Sequence, residues 1–257
     1  MCVQAIFPTS GNNISHQDLS RMSLQQKYGI EVLYEDNHLI VLNKGVSDIV
    51  QGDETGDVSL DLKLKGFLRE RDHKPGNVFV GIPHRLDRPV SGVVVYTKTD
   101  KALGRMTNLF REKQVEKIYM ALVSEIPDPP VATLAHYLTR NTRQNKSYCH
   151  HEAVKHSKHA VLHYRYMNSS DRYHLLEVIL ETGRHHQIRA QLASIGCPIK
   201  GDVKYGAKRP NRDGGISLHA RRISFIHPVK KEPLEIEAPF PSRDIFHLFR
   251  KDQGVRL

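Results

Sequence analysis

The chain has 257 residues, of which 39% are hydrophobic and 26% are charged, a composition typical of globular proteins that argues against wholesale disorder. No apolar run approaches the roughly 20 residues that a membrane-spanning helix needs, and the N-terminus lacks the pattern of a secretory signal. The net charge of +10 favours a polyanionic partner such as nucleic acid, although a soluble protein can be this basic without one. Three scattered cysteines do not suggest a disulfide framework and fit a reducing cytoplasm.

The first third of the chain predicts an extension, two strands and a helix. Residues 1–29 are polar and weakly patterned, which predicts an N-terminal arm ahead of a main domain over residues 30–257. Residues 30–44 (IEVLYEDNHLIVLNK) predict two strands joined by a polar turn. Apolar residues at helical spacing between positions 60 and 68 predict an amphipathic helix with basic outer faces. VFVGIP (78–83) is a further candidate strand.

The rest of the chain is dominated by short strands. These are predicted over GVVVYTK (92–98), KIYMALV (117–123), AVLHYRYM (160–167), YHLLEVILE (173–181) and a segment near residues 217–226. One helix is predicted after a cap at Thr99 or Asp100, and another ends at Gly196. Because strands outnumber helices and hairpin spacings dominate, the sequence predicts an α+β fold with a mixed, mostly antiparallel central sheet.

The segment PHRLDRPVSG (83–92) places one carboxylate in a stiff loop. Two prolines restrict the backbone on either side of Asp87, and Gly92 allows an unusual dihedral angle after it. A rigid loop between two strands suits a functional side chain. Taken alone, however, the segment is also typical of an ordinary turn acid that pairs with Arg85 or Arg88.

A second candidate segment is ETGRHHQIRAQLASIGCPIKGDVKYG (181–206). Its helix has a buried stripe that begins at Ile188, and Arg189 lies about 100° around the axis, on the flank of that stripe. A half-buried guanidinium needs an acidic partner. Arg184 and His185 come at the helix start, where backbone N–H groups and basic side chains can receive a phosphate. Arginines that are merely solvated are the alternative.

The strand VEKIYMALV (115–123) is the third candidate. Lys117 and Tyr119 are two residues apart and therefore share one face of the strand. In a cleft, such a tyrosine could stack on a base while the lysine meets a phosphate. A half-buried tyrosine with its hydroxyl at the surface explains the pattern equally well.

A histidine-rich stretch, SYCHHEAVKHSKHAVLHY (147–164), invites comparison with a zinc site. It contains no CxxC pair and no HExxH motif, and His159 and His163 fall in a strand, where they do not converge as they would on a helix. No metal site is therefore predicted.

Taken together, the motifs resemble those of the RluA-type pseudouridine synthases. The corresponding segments, in chain order, are EDNHLIVLNK (35–44), HRLDRPVSG (84–92), KIYMALV (117–123), GRHHQIRAQLASIGCPIKGDVKYG (183–206) and LHARRISFIHP (218–228). These motifs are long and in the family's order, and they run from about Ile30 to the segment after Pro228. The main departure is Val90, where the family has a threonine.

The resemblance implies a pseudouridine synthase fold, with an active-site cleft across the sheet and the catalytic domain over residues 30–257. It implies that Asp87 is the catalytic aspartate of uridine-to-pseudouridine isomerisation, that Arg189 is its partner and that Tyr119 stacks on the uracil. Leu218 is expected to form part of the apolar pocket wall. The reaction consumes nothing, so no cofactor or metal is expected.

The expected partner is a structured RNA, ribosomal or transfer, and the expected assembly is a monomer. The candidate RNA contacts are Arg85, Arg88, Lys117, Arg184 and His185. Two other readings of the sequence remain: a non-catalytic RNA-binding protein or RNA chaperone on the same fold, and a small-molecule hydrolase that uses Asp87. Asp87, Tyr119 and Arg189 are all present, which favours the enzyme, and a hydrolase would not explain the charge or the other motifs.

Overall fold

The computed structural model describes residues 23–52, 56–242 and 244–252. Residues 1–22 of the predicted arm lie outside the described residues. Residues 24–28 form helix α1, which Ser23 and Gln26 begin with reciprocal side-chain-to-backbone hydrogen bonds and Gly29 ends in a left-handed conformation. The boundary between arm and main domain stays a prediction.

The elements of the described chain follow the sequence expectation in most places. The strands are β1 Glu31–Glu35, β2 Leu39–Lys44, β3 Ser91–Thr97, β4 Glu116–Val123, β5 Val131–Asn141, β6 Lys146–His150, β7 Lys158–Ser169, β8 His174–Leu180, β9 Leu218–Ile226 and β10 Pro233–Glu237. The helices are α1 Leu24–Tyr28, α2 Leu60–Arg71, α3 Asp100–Arg111 and α4 Gln187–Ser194, with short 3-10 segments at Val203–Tyr205 and Ile245–Asp252.

All ten strands of the described chain belong to one sheet, in the order β1-β2-β3-β9-β4-β8-β7-β5-β6, with β10 against the far half of β9. Only β3 and β9 pair in parallel; the other pairs are antiparallel. The predicted α+β class with a mixed, mostly antiparallel sheet is therefore confirmed. The order places β4 between β9 and β8, in the interior of the sheet.

Apolar clusters lie on both faces of the sheet, and two of them share the face that carries α4. The cluster beneath α4 joins that helix, through Ile188 and Leu192, to side chains of β4 and β8 and to Val90 in the loop before β3. A second cluster joins α1 and α2 to β2 and β3. Tyr119 packs against both clusters, so it lies where they meet. The candidate site is built at this junction.

One local prediction was wrong. The segment 78–83 does not form a strand: only Gly81 makes a bridge, to Thr97 of β3. Pro83 has no N–H to offer a ladder, and the side chain of His84 instead accepts a hydrogen bond from the Val95 N–H at 2.9 Å. The helix of Arg189 stops at Gly196 as predicted: its last helical residue is Ser194, and Gly196 follows the C-cap Ile195 with φ of 77°, the left-handed conformation of a glycine that ends a helix.

Candidate active site

The loop that carries Asp87 is anchored by a buried lysine. Lys44, at the end of β2, is 1% exposed, and its ammonium group donates to the carbonyl oxygens of Gly45, Arg88 and Val90 at 2.9, 2.9 and 2.6 Å. Burial lowers the pKa of Lys44 to about 7. Two of its three acceptors belong to the Asp87 loop, so Lys44 fixes the backbone on the C-terminal side of the carboxylate.

Other backbone contacts complete the anchorage of this loop. The Val90 N–H donates to the Asp87 carbonyl at 3.0 Å, which closes a tight turn. The Ile216 N–H donates to the Pro89 carbonyl at 3.0 Å and ties the loop to the segment before β9. Asp87 therefore projects from a backbone that hydrogen bonds hold on two sides.

Arg189 joins two carboxylates. Its Nη1 donates to Asp87 Oδ2 at 3.1 Å, while its Nε and Nη2 donate to the two oxygens of Asp202 at 2.6 and 2.9 Å. The Arg189 side chain is 6% exposed and that of Asp202 is 1% exposed, whereas that of Asp87 is 29% exposed. Burial alone would lower the pKa of Arg189, but the hydrogen bonds and charges of the two carboxylates outweigh it and raise the pKa.

This arrangement explains how one arginine can orient a partly exposed acid. The bidentate pair with Asp202 fixes the plane of the guanidinium. The remaining Nη1 then faces Asp87 and stabilises its negative charge. Arg88 does not pair with Asp87, since its guanidinium lies 2.7 Å from Asp57. Asp87 is therefore not a turn acid that is neutralised by Arg88.

His186 is a further neighbour of Asp87. It precedes α4 in a left-handed conformation, with φ of 52°, and its Nε2 lies 3.5 Å from Asp87 Oδ2. The hydroxyl of Tyr205 accepts from the Ser147 N–H at 2.7 Å, so its own proton is free to go to His186 Nδ1 at 3.0 Å. Burial, followed by the nearby Arg189, lowers the pKa of His186 to about 2. The ring is therefore neutral, with its proton on the nitrogen that faces Asp87.

A cavity of about 110 Å³ lies in front of Asp87. Its lining residues are Arg85, Leu86, Asp87, Val90, Tyr119, Leu180, Gly183, Arg184, His186, Gln187, Ile188, Arg189 and Leu218. Tyr119 and Leu218 come from the adjacent strands β4 and β9 and supply apolar wall opposite α4. Burial, with the charge of Asp87 adding to it, raises the pKa of Tyr119, so its hydroxyl stays protonated at neutral pH.

Of the five basic residues predicted to contact RNA, two line the cavity. Arg85 and Arg184 are exposed at its rim, and Arg184 Nε donates to the His159 carbonyl at 2.9 Å. The other three are not among the lining residues. Arg88 pairs with Asp57 as described above, and Lys117 is half-buried farther back on β4, where burial and then Lys113 lower its pKa.

His185, the last of these, faces away from the cavity. Its Nδ1 lies 2.9 Å from Ser147 Oγ and its Nε2 lies 3.0 Å from Asn145 Oδ1. The ring stacks on that of His186, with centroids 3.7 Å apart. His185 therefore supports the neighbouring histidine that touches Asp87.

Three members of the site were not predicted from the sequence: His186, Asp202 and Tyr205. A signal for Asp202 was available, since it is an acid in a mostly apolar and glycine-containing run shortly after the helix of Arg189. His186 could not be separated from its neighbours by spacing, because its left-handed backbone lies outside the helix. Tyr205 acts through a hydroxyl whose two partners are distant in sequence.

Neither clustered metal ligands nor a helix of membrane-spanning length and polarity occurs in the described residues. No group of three or more histidine, cysteine, aspartate or glutamate side chains in these parts of the chain is placed to hold a metal ion. None of the helices found between residues 23 and 252 is long and apolar enough to cross a membrane.

Comparison with known proteins identifies the family. Residues 38–194 match the family model described as RNA pseudouridylate synthase. The chain belongs to this family. The match includes Asp87, Tyr119 and Arg189, and the chain is an RNA pseudouridine synthase, an isomerase that acts on RNA.

Relatives match over most of the chain. An RNA pseudouridine synthase of Bacillus subtilis, YlyB, is 31% identical over 221 residues, which cover 85% of this chain and 71% of the relative. The ribosomal large subunit pseudouridine synthase D of Xylella fastidiosa is 32% identical over 241 residues, 87% of this chain and 70% of the relative. Human RNA pseudouridylate synthase domain containing 4 has a similar fold, with a TM-score of 0.67 at 23% identity over 82% of this chain and 88% of that chain.

Proposed function

We propose that the chain converts uridine to pseudouridine in ribosomal RNA and that Asp87 is the catalytic carboxylate. One observation carries the assignment of Asp87: it is a partly exposed acid at a cavity, and Arg189, itself fixed by Asp202, holds it by one oxygen. The other carboxylate oxygen is not engaged by Arg189 or His186 and is available to substrate.

The isomerisation breaks the N1–C1′ bond of uridine, turns the uracil and forms a C5–C1′ bond. Asp87 would act either by attack on the ribose or the base, or by promoting a glycal intermediate, and each route needs the ionised carboxylate. Arg189 supplies a positive charge 3.1 Å from that carboxylate. His186 adds a neutral N–H on the same side, which stabilises negative charge without competing for a proton.

Tyr119 and Leu218 are proposed to hold the uracil. Both line the cavity, and the aromatic ring offers a face for stacking while Leu218 supplies an apolar wall. Because Tyr119 keeps its proton, its hydroxyl can donate a hydrogen bond to the base or to an oxygen near it. The mostly apolar walls leave the uracil free to rotate in the cavity between the loss of the N1–C1′ bond and the formation of the C5–C1′ bond.

The target uridine of a structured RNA must leave its helix to reach Asp87. Extrusion of a base costs a few kcal/mol, which phosphate contacts at the rim offset. Arg85 and Arg184 are exposed at the rim and are proposed to make those contacts. Arg88, Lys117 and His185 lie outside the cavity lining, and we propose that they act on more distant parts of the RNA or support the site.

Ribosomal RNA is proposed as the target because the relative from Xylella fastidiosa is named a ribosomal large subunit pseudouridine synthase. We propose a monomer, since residues of one chain line the whole cavity. The proposed compartment is the cytoplasm, where thiols such as Cys149 and Cys197 stay reduced.

The test is a map of pseudouridines in ribosomal and transfer RNA from cells with and without the gene. We expect a ribosomal pseudouridine to disappear with the gene, to return with the wild-type gene and to stay absent with Asp87→Asn. A lost site in transfer RNA would contradict the proposed target but not the chemistry. Restoration by Asp87→Asn would contradict the assignment of Asp87.

A further inference from the structure

A second concave surface shares no lining residue with the active-site cavity and takes no part in the proposed chemistry. This surface, the basic cleft, has a volume of about 960 Å³. It is formed by the turn between β7 and β8, by residues 198–201, by the loop 207–213 and by Asp244 and Ile245. Its cationic members are Arg172, Lys200, Lys208, Arg209 and Arg212.

The charge of the basic cleft is poorly compensated. Asp244 and Asp213 are the acids of its lining, and Asp244 forms an ion pair with Lys200 at 3.0 Å. Asp213 accepts a hydrogen bond from the Gly215 N–H at 3.0 Å. The four arginine and lysine side chains other than Lys200 are exposed, and none has an acidic partner within 4.0 Å among the described residues. Cations gathered in this way attract a polyanion.

The floor of the basic cleft is ordered by its own contacts. Lys200 Nζ donates to Asn211 Oδ1 at 2.7 Å, and Asn211 Nδ2 donates to Ser217 Oγ at 3.1 Å. A side chain at Gly201 would lie 2.7 Å from Asn211, so the loop packs directly on the backbone there. These contacts hold the loop 207–213, and with it the backbone that carries its cations, in place.

An aromatic ring lies among these cations. Tyr173 is half-buried in the cleft lining, and Lys200 Nζ lies 5.6 Å from the centre of its ring. Single-stranded nucleic acids are bound by this combination, in which cations follow the backbone and aromatic rings stack on bases. A lone phosphate or another small anion would contact the cations but would not stack on the ring.

The position of the basic cleft relates it to the active site. Ser124 of the cleft lining follows β4 five residues after Tyr119, a distance of about 17 Å along a strand. Lys200 is two residues from Asp202, the partner of Arg189. RNA that has its target base in the cavity can reach the cleft within a few nucleotides.

We infer that the basic cleft binds a single-stranded segment of the substrate RNA that flanks the target uridine. Lys208, Arg209, Arg212 and Arg172 hold its phosphates, and Tyr173 stacks on one of its bases. The inference rests on the proposed function, because the bound strand is part of the same RNA. It adds a contact surface that determines affinity and the choice of target, apart from the chemistry at Asp87.

The binding probe is a fluorescein-labelled oligouridylate of about 16 nucleotides, long enough to cover one such groove. We expect Lys208→Ala with Arg212→Ala to raise Kd at least tenfold at low salt. The slope of log Kd against log salt should fall by about 1.4, since each phosphate contact on a single strand contributes about 0.7. Tyr173→Ala should raise Kd roughly five- to a hundredfold with little change in slope, because stacking releases no counterions.

The matched control is Lys101→Ala with Arg111→Ala. These removals take the same charge from exposed positions of α3, a helix that packs in a different apolar cluster. An unchanged salt slope in the cleft variant, or an equal change in the control, would overturn the inference. Asp87→Asn should bind the probe as wild type does while losing turnover; turnover in that variant would refute the proposed catalytic role and leave the cleft result standing.

Discussion

Arg189 holds two carboxylates at once, Asp202 through two hydrogen bonds and Asp87 through one. At the scale of single residues, the site depends on the different roles of these two carboxylates. Asp202 is buried and serves orientation, whereas Asp87 keeps access to the cavity. The motif around each residue indicated Asp87 and Arg189 from the sequence. Asp202 was missed because its place in a mostly apolar, glycine-containing run marks it as unusual but does not show that this acid, 13 residues downstream, returns to the same guanidinium.

Arg189→Met is expected to lose both stability and activity. Asp202 would be left as a buried carboxylate without its partner, which costs about 3–5 kcal/mol of unfolding free energy. Turnover should fall by orders of magnitude because Asp87 loses its counter-charge. Urea unfolding and release of tritium from RNA labelled at C5 of uridine measure the two effects.

The double variant Arg189→Met with Asp202→Leu separates the two effects. With both members of the buried pair removed, most of the stability should return, since no unpaired charge remains. Activity should stay lost. If turnover returned along with stability, Arg189 would serve the fold alone and its role at Asp87 would be refuted.

At the scale of elements, the site depends on how the Asp87 loop joins β3. Gly92 has φ of 114° and pairs with Ala220 at the parallel contact between β3 and β9. A Cβ there would lie 2.2 Å from the Ala220 carbonyl oxygen. The unusual dihedral angle at Gly92 was predicted from the sequence, but the strand that approaches it was not.

Gly92→Ala should therefore separate β3 from β9 and shift the loop that carries Asp87. We expect a loss of at least about 3 kcal/mol in unfolding free energy and a large loss of turnover. Gly104→Ala is the matched control, because nothing lies within 4 Å of its added Cβ in α3. That change should stabilise the protein by up to about 1 kcal/mol. Equal behaviour of the two variants would show that the contact with Ala220 is unimportant.

Elements with a strong pattern were predictable and those held by distant partners were not. β3, β4, β7 and β8 are β-branched or apolar and were found from the sequence. β6 is short and polar at most positions, and it is a strand because it pairs along β5. The segment 78–83 has the apolar pattern of a strand but does not pair along β3. The Val95 N–H of β3 donates to the His84 side chain instead of to a backbone carbonyl of this segment.

At the scale of the whole molecule, the α+β class followed from strand content, whereas the order of the strands did not. The parallel contact of β3 with β9 joins segments more than 120 residues apart, which no local pattern shows. That order brings the wall residue Leu218 beside Tyr119 and the Asp87 loop. The candidate site therefore depends on long-range pairing, and its chemistry could be predicted only through family resemblance.

Three histidines, of which His186 and His219 are buried and His84 is partly buried, make the stability of the molecule depend on pH. Burial lowers the pKa of His84 to about 3, of His186 to about 2 and of His219 to about 4. In the unfolded chain their pKa is about 6.5, so the unfolded state binds more protons below that pH. Their contribution to stability is complete above about pH 6.5 and is lost as the pH falls toward the lower values.

We expect the unfolding free energy to fall between about pH 6.5 and pH 5, by at most about 1.4 kcal/mol per pH unit for each histidine. His219→Asn should reduce that slope by one histidine's share, because asparagine does not titrate. His73→Asn, at an exposed position with positive φ, should leave it unchanged. Urea unfolding across this range measures the slopes, and a slope equal in wild type and His219→Asn would be evidence against a neutral buried ring.

Turnover by Asp87→Asn tests the central claim most directly. Ribosomal RNA labelled with tritium at C5 of uridine releases that label when the C5–C1′ bond forms, so the measurement follows the chemistry itself. The wild-type protein should release tritium, and Asp87→Asn should release none while it unfolds at the same urea concentration and binds RNA within about twofold. Tritium release by a folded Asp87→Asn protein would contradict the account.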